Sequence, residues 1–232
     1  MTLLSSNREL RQHRIAVWSI PALSAELPDG RRVKTCPSAG VCAALCYARS
    51  GTYNFSNVKA AHTRHLQYVM DDPAGWEAEM CAEVARPKHD GGWVRIHDAG
   101  DFYTVDYLEA WCRIANATPG VTFYAYTKEV SMVRDVTARG LVPANLLLVF
   151  SLGGKEDHLI DLATERHADV FTDPAALIEA GYHDQSDDDR LAVLGPDRVG
   201  IPANNIKHLR KRQGPQSFGQ LQAEQDRRRA DR

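Results

Sequence analysis

No apolar run in this sequence approaches the length of a membrane-spanning helix, which argues against a helical membrane protein. The stretch from Met1 to Leu10 lacks the apolar centre of a secretory leader. There is no Gly-x-Gly-x-x-Gly and no P-loop lysine motif, so neither common nucleotide-binding device is supported. Bulk charge says little: the formal net charge of -2 names no partner. The acidic stretch Asp184-Gln-Ser-Asp-Asp-Asp189 lacks EF-hand spacing and reads as a polar loop. Cysteine is scarce and odd in number, five in all, which without a secretory leader points to a reducing compartment. The expectation is a soluble, cytoplasmic protein with no membrane partner. At 232 residues and 44% hydrophobic composition the chain suits one ordinary domain with a substantial core.

Three of the five cysteines lie close together, in Cys36-Pro-Ser-Ala-Gly-Val-Cys42-Ala-Ala-Leu-Cys46. Thiolates are soft ligands for zinc, Cu(I) and iron–sulfur clusters, and close spacing lets one loop present several sulfurs to one centre. Three clustered cysteines, rather than two pairs, fit a [4Fe-4S] cubane with one iron left for another ligand. A structural zinc site remains open, with His62 and His65 as the nearest downstream histidines, and so do three inert thiols. Cys81 and Cys112 fall on or beside the apolar stripes of helical segments and read as core.

The rest of the chain alternates between two periods. A first strand over 14–20, ended by Pro21, is followed by a turn at Leu27-Pro-Asp-Gly30 and then by the cysteine loop. Helices are expected from Ser56 or Asn57 to Met70, and from Pro73 to Ala85 with Trp76, Met80 and Val84 in line. Strands at 92–97, 121–126, 146–151 and 169–172 alternate with helices at 105–117, 129–139, around 157–166 and after Asp173-Pro174. A late strand is expected near Leu191 or Val199. Such alternation forces parallel pairing with helical crossovers, hence an α/β fold. About six strands are too few for a closed eight-stranded barrel, so the expected architecture is a partial, (βα)6-like barrel of TIM type. The organisation is a flexible N-terminus at 1–13, one barrel-like domain at 14–206 with the cluster loop at 35–48, and a basic C-terminal tail at 207–232. Lys207, Arg210, Lys211, Arg212, Arg227, Arg228, Arg229 and Arg232 make that tail a candidate contact for nucleic acid, against the plainer reading of a solvated end.

In parallel sheets function collects at the carboxyl ends of strands. There stand His97-Asp98-Ala-Gly-Asp101, Thr127-Lys128-Glu129, Ser151-Leu-Gly-Gly154-Lys155 and Thr172-Asp173. His97, Asp98 and Asp101 are candidates for a fourth cluster ligand (His97 above all), for a second metal, or for acid–base work. The plainer account is a loop in which both aspartates accept backbone N–H groups around Gly100. Lys128 is a candidate to pair with those carboxylates or to hold an anionic substrate.

Three blocks, Thr35–Gly51, Arg95–Tyr103 and Thr122–Lys128, resemble the phage "Gene product 88" family, a group of unassigned function from bacteriophages and related bacterial elements. The resemblance spans roughly residues 15–155 and implies a cytoplasmic protein, working in the host cytoplasm if phage-encoded. Relatives with further cysteines near the C-terminus find no counterpart between Arg198 and Phe218. More distantly, the layout is similar to the radical SAM superfamily. That likeness implies a six-stranded partial barrel, a [4Fe-4S] cluster on Cys36, Cys42 and Cys46 in the loop after the first strand, and S-adenosylmethionine on the open iron. The cysteine spacing here is wider than that superfamily's, and His-Asp-Ala-Gly-Asp stands where its glycine-rich signature would be. The expected function is therefore an iron–sulfur protein, radical-SAM-like if an enzyme. The alternatives are a non-enzymatic cluster protein, such as a redox sensor or a factor binding host protein or nucleic acid, and a zinc-stabilised domain.

Overall fold

The computed structural model describes residues 2–203 and 205–231; Met1, Asn204 and Arg232 lie outside the described residues. In chain order the first elements are α1 (Arg8–Gln12), β1 (Ile15–Trp18), β2 (Ala25–Glu26), β3 (Arg32–Val33), α2 (Cys42–Leu45), α3 (Ser56–Asp71) and α4 (Pro73–Val84). Next come β4 (Trp93–Ile96), α5 (Val105–Ala117), β5 (Thr122–Thr127), α6 (Val130–Ala138) and β6 (Leu146–Ser151). The last are β7 (His167–Phe171), α7 (Pro174–Glu179), β8 (His183–Asp184), α8 (Leu191–Leu194), β9 (Arg198–Pro202), α9 (Lys207–Gln213) and α10 (Phe218–Ala230). The fold is mixed α/β with parallel strands, as the alternation requires.

The chain divides into two compact units. One comprises Met1–Pro37, Thr52–Ala125 and Met132–Leu147; the other comprises Ser38–Gly51, Tyr126–Ser131 and Leu148–Arg232.

In the first unit β1, β4 and β5 run parallel, with Ile15 opposite Trp93 and Trp93 opposite Thr122. All four β1 residues are buried, which is why the strand reads as a continuous apolar run. The Leu27–Gly30 turn closes the small β2–β3 hairpin. Thr104 caps α5 through its hydroxyl, and Asp72 caps α4 with Pro73 at its first position. Trp76 and Met80 of α4 and Leu108 and Trp111 of α5 are completely buried, and Trp76 meets Trp18 and Trp111 with ring centroids 5.7 and 5.4 Å apart. Cys112 belongs to this core, while Cys81 is only half-buried. At the N-terminus, where a flexible segment was expected, Leu3 and Leu4 are buried and Ser5 pairs antiparallel with Val17.

In the second unit β7 pairs in parallel with β6 and β9, and β8 adds to the outer side of β9. Val149, Ala168, Ala192 and Val199 form its apolar centre. The expected helix around 157–166 is only a 3-10 turn, Asp157–Leu159. Its side chains explain why: Asp157 accepts from the amides of Gly153 and Gly154, and Asp161 accepts from the Ala163 amide and the Thr164 hydroxyl. Such local side-chain bonds compete with helix continuation. Val199 lies on a strand as expected, whereas Leu191 opens a short helix. The basic C-terminal segment is largely helical rather than a bare tail, and within it Gln213, Phe218 and Gln222 are buried. Among the described residues no helix is long and apolar enough to cross a membrane.

Candidate functional site

Cys42 opens the single-turn helix α2 and Cys46 closes it, so one helical turn separates the two thiols. Both are partly exposed and neither is in a disulfide. Burial, and then the neighbouring Cys42, push the Cys46 thiol up to about 11. A thiol so raised is protonated at neutral pH, and a thiophilic ion bound there would displace that proton.

The backbone leading into α2 is fixed from several sides within the second unit. Ser38 donates its amide and its hydroxyl to the two carboxylate oxygens of Glu129, each at 2.8 Å. Ala39 pairs antiparallel with Gly154, and the Lys155 amide donates to Ser38 O at 2.8 Å. Gly153 O accepts from the amides of Gly40 and Cys42 at 3.1 and 3.2 Å. The Val41 amide donates to Gln222 Oε1 at 2.8 Å, and Arg212 Nη1 donates to Ala44 O at 3.2 Å.

Gly153 can serve this way because it sits at φ +94°, a conformation reserved largely for glycine, with its own amide held at 2.7 Å by Asp157 Oδ2. Burial pushes Asp157 up to about 6 against the pull of those amides and of Lys128. The native chain therefore binds more protons than the unfolded one between the ordinary 3.8 and about 6. Asp157 contributes its stability below that interval and loses it as pH rises through about 6. Urea titrations across the interval should show this falling component in the wild type and a flatter profile in Asp157→Asn.

Lys128 turns its ammonium onto Ser151 O, Ser151 Oγ and Leu152 O at 2.9, 2.7 and 2.9 Å. Three donors meeting three acceptors make it a brace for the end of β6. Its charge opposes the rise in the Cys46 pKa.

The first unit holds the other expected residues. Cys36 is partly exposed, with Sγ accepting from the Leu23 amide at 3.3 Å. His97 leaves β4 at φ +66° and turns inward, where it is 4% exposed. Trp18 Nε1 donates to the Tyr107 hydroxyl at 2.8 Å, and that hydroxyl lies 2.9 Å from His97 Nε2. The tyrosine oxygen has a second lone pair beside the one facing Trp18, so the direction of its bond to His97 Nε2 follows the ring's tautomer. Nδ1 is buried with no hydrogen-bond partner among the described residues. Burial lowers the pKa of His97 to about 3, so the ring stays neutral.

Asp98 is drawn elsewhere: Arg95 Nη2 lies 3.2 Å from its Oδ1 and the Tyr53 hydroxyl donates to its Oδ2. His62 stands near Asp98 and Tyr53; burial first, and His65 second, push it down to about 4. His65 stacks on Trp18 at 4.1 Å and bonds Ser19 O through Nδ1. Asp101 accepts from the Phe102 amide at 2.8 Å.

The structure thus gathers Cys42 with Cys46, and Asp98 with Arg95 and Tyr53. It turns His97 toward Tyr107. Among the described residues no group of three or more His, Cys, Asp or Glu side chains is arranged to hold a metal ion. The donor set nevertheless fits a thiophilic centre in its chemistry, since three reduced, partly exposed thiols come from one short stretch. Asp157 and Gln222 were not singled out from the sequence; Ser38 stood out only as part of the cysteine stretch and Arg212 only as part of the basic tail. Glu129 and the glycine pair were visible as strand-end residues, but Gln222 carried no local signal.

The family model described as "Gene product 88" matches residues 1–232. The Gene 88 protein of Mycobacterium phage L5 is 31% identical over 142 residues, covering 56% of this chain and 56% of that protein. The Gene 88 protein of Mycobacterium phage D29 is 30% identical over 138 residues, with the same coverage of each. The chain spans little more than half the length of these curated relatives. No solved structure matches.

Proposed function

The chain belongs to the Gene product 88 family, and from that footing we propose that it is an iron–sulfur protein whose Cys36, Cys42 and Cys46 hold a [4Fe-4S] cluster. One observation carries this reading. The backbone from Ser38 to Cys42 is tied to Glu129, Gly153, Gly154, Lys155 and Gln222, and still leaves both following thiols reduced and reachable. A loop serving only the core has no reason to be so constrained while presenting sulfur at the surface.

Three thiolates leave one iron of a cubane for a further ligand, and a cluster so held supplies one-electron chemistry or a Lewis-acidic iron. S-adenosylmethionine is the ligand that the wider resemblance suggests for that iron. The parallel strands, read as part of a (βα)6-like barrel wall, support the same assignment, since loops leaving carboxyl ends of strands are where such folds place chemistry. In this reading His97 is a neutral ring whose Nε2 is held by Tyr107, rather than a fourth ligand. Asp98, held by Arg95 and Tyr53, is the carboxylate that this reading sets beside a substrate.

Protein purified without oxygen should be brown, with iron and sulfide in near-equal amounts and broad visible absorbance. Cys42→Ala and Cys46→Ala should each abolish that colour, while Cys112→Ala, a change in the core, should keep it. Stoichiometric zinc without iron or sulfide, or no metal under anaerobic preparation, would overturn the assignment.

A further inference from the structure

Helices α9 and α10 are rich in arginine and lysine, yet several of those side chains are already bonded to the chain itself. Arg210 reaches Asn205 Oδ1 and Thr172 O, Arg228 pairs with Glu224, and Arg212 reaches the carbonyl of Ala44 inside α2. More telling is Gln222, fully buried in the middle of α10, where a solvated helix would keep glutamine outside. Its Oε1 accepts from Val41, the residue before Cys42, and its Nε2 donates to Asp226 Oδ1 at 3.0 Å. The start of α10 is locked by a capping box between Ser217 and Gln220, and by the Gly219 amide on Asp169 Oδ1 at 3.0 Å. Gln213, closing α9, donates to Val170 O and Gln216 O.

We propose that Gln222 and Arg212 are positioning residues for the Cys42–Cys46 thiol pair, the C-terminal helices forming a clasp that holds α2 in shape. The physical need is plain. A four-residue helix is far below the length that sustains itself, and the Val41 N-cap offers no side-chain bond to its first turn. The groups satisfying this turn from outside include Gly153 O on the Cys42 amide, Gln222 on the Val41 amide and Arg212 on the Ala44 carbonyl. Without the clasp the turn frays, and two sulfurs set one turn apart become two sulfurs on a mobile loop. That this pair serves a metal rests on the reading given under Proposed function; the clasp itself does not.

The test uses the full chain, metal-free, with iodoacetamide labelling of each cysteine followed by mass spectrometry and amide exchange followed by NMR. In Gln222→Ala, labelling of Cys42 and Cys46 and exchange of the Val41 amide should each rise about tenfold, the equivalent of one lost hydrogen bond. Cys112 labelling should not change. Arg212→Ala should show a smaller rise of the same kind. The double variant Gln222→Glu with Asp226→Asn keeps an acceptor for Val41 and reverses the bond to position 226, so it should restore wild-type rates. A folded Gln222→Ala protein with unchanged rates, or failure of the double variant to rescue, would overturn the clasp. If Gln222→Ala does not fold, the wild-type Val41 amide decides: protection supports the clasp and free exchange overturns it. Titration with Cd(II), read by its thiolate charge-transfer band, separates the two claims. Altered labelling with no Cd(II)–thiolate band in the wild type sinks the metal reading and leaves the clasp standing.

Discussion

Gly40→Ala is expected to destabilise the protein by on the order of 3 kcal/mol and to loosen the loop that carries Cys42. The backbone of Gly40 is not in the left-handed region, so no left-handed strain opposes alanine there. Space is the difficulty. A Cβ at this position would stand 2.0 Å from Gln222 Oε1, 2.7 Å from Gln222 Cδ and 2.9 Å from Gly153 O. The glutamine can give way only by leaving the Val41 amide, and Gly153 O can move only by weakening its bonds to Gly40 and Cys42. Each escape leaves a polar group short of a partner, which adds to the overpacking. Urea unfolding should show a lower midpoint with an unchanged slope, the mark of lost stability without a change in cooperativity. Combining Gly40→Ala with Gln222→Ala removes the nearest clash, so the double variant should lose less than the sum of the two single losses. Full additivity, or wild-type stability of Gly40→Ala, would mean that the amide–glutamine contact is not made in solution.

How far the sequence exposed this architecture depends on the range over which each signal acts. The stripe of Trp76, Met80 and Val84 and the caps Thr104 and Asp173 lie within a turn of what they specify, so α4, α5 and α7 were legible. β2, β3 and β8 have two residues each, too few to show any period. The segment after Asp157 looked helical because its apolar spacing is right, but Asp157 and Asp161 divert the backbone amides first. α10 is the converse case. Its inward face carries Phe218 and Gln222, and a glutamine in an apolar register hides the amphipathic pattern.

The candidate site follows the same rule. The cysteine loop was visible because its three thiols are neighbours in sequence. Gln222 lies 181 residues from Val41, and only folding brings them together. His97 was visible as a polar residue ending a strand. Its rotation toward Tyr107 depends on a tryptophan from β1 that no spacing around His97 reveals.

Tyr107→Phe is expected to lower the melting temperature by roughly 6–12 °C, the equivalent of about 3 kcal/mol in a chain of this size. The lost hydroxyl serves two buried partners at once, accepting from Trp18 Nε1 and sharing a hydrogen bond with His97 Nε2. Phenylalanine fills the same space and leaves both without a bond, and water has little access because Trp18 is completely buried. The pH dependence separates this loss from the burial of the imidazole. The native pKa of His97, about 3, lies below the ordinary 6.5, so the unfolded chain binds the extra proton across that interval. Stability tied to the neutral ring is fully present above 6.5 and declines as pH falls toward about 3. Tyr107→Phe removes a bond but not the burial, so its stability curve should drop as a whole while keeping the acid slope. His97→Asn removes the titrating ring and offers an amide nitrogen near the place of Nδ1, so its curve should flatten over the same interval. A Tyr107→Phe protein that keeps its melting temperature, or a His97→Asn protein that keeps its acid slope, would show that the Trp18–Tyr107–His97 relay does not exist as described.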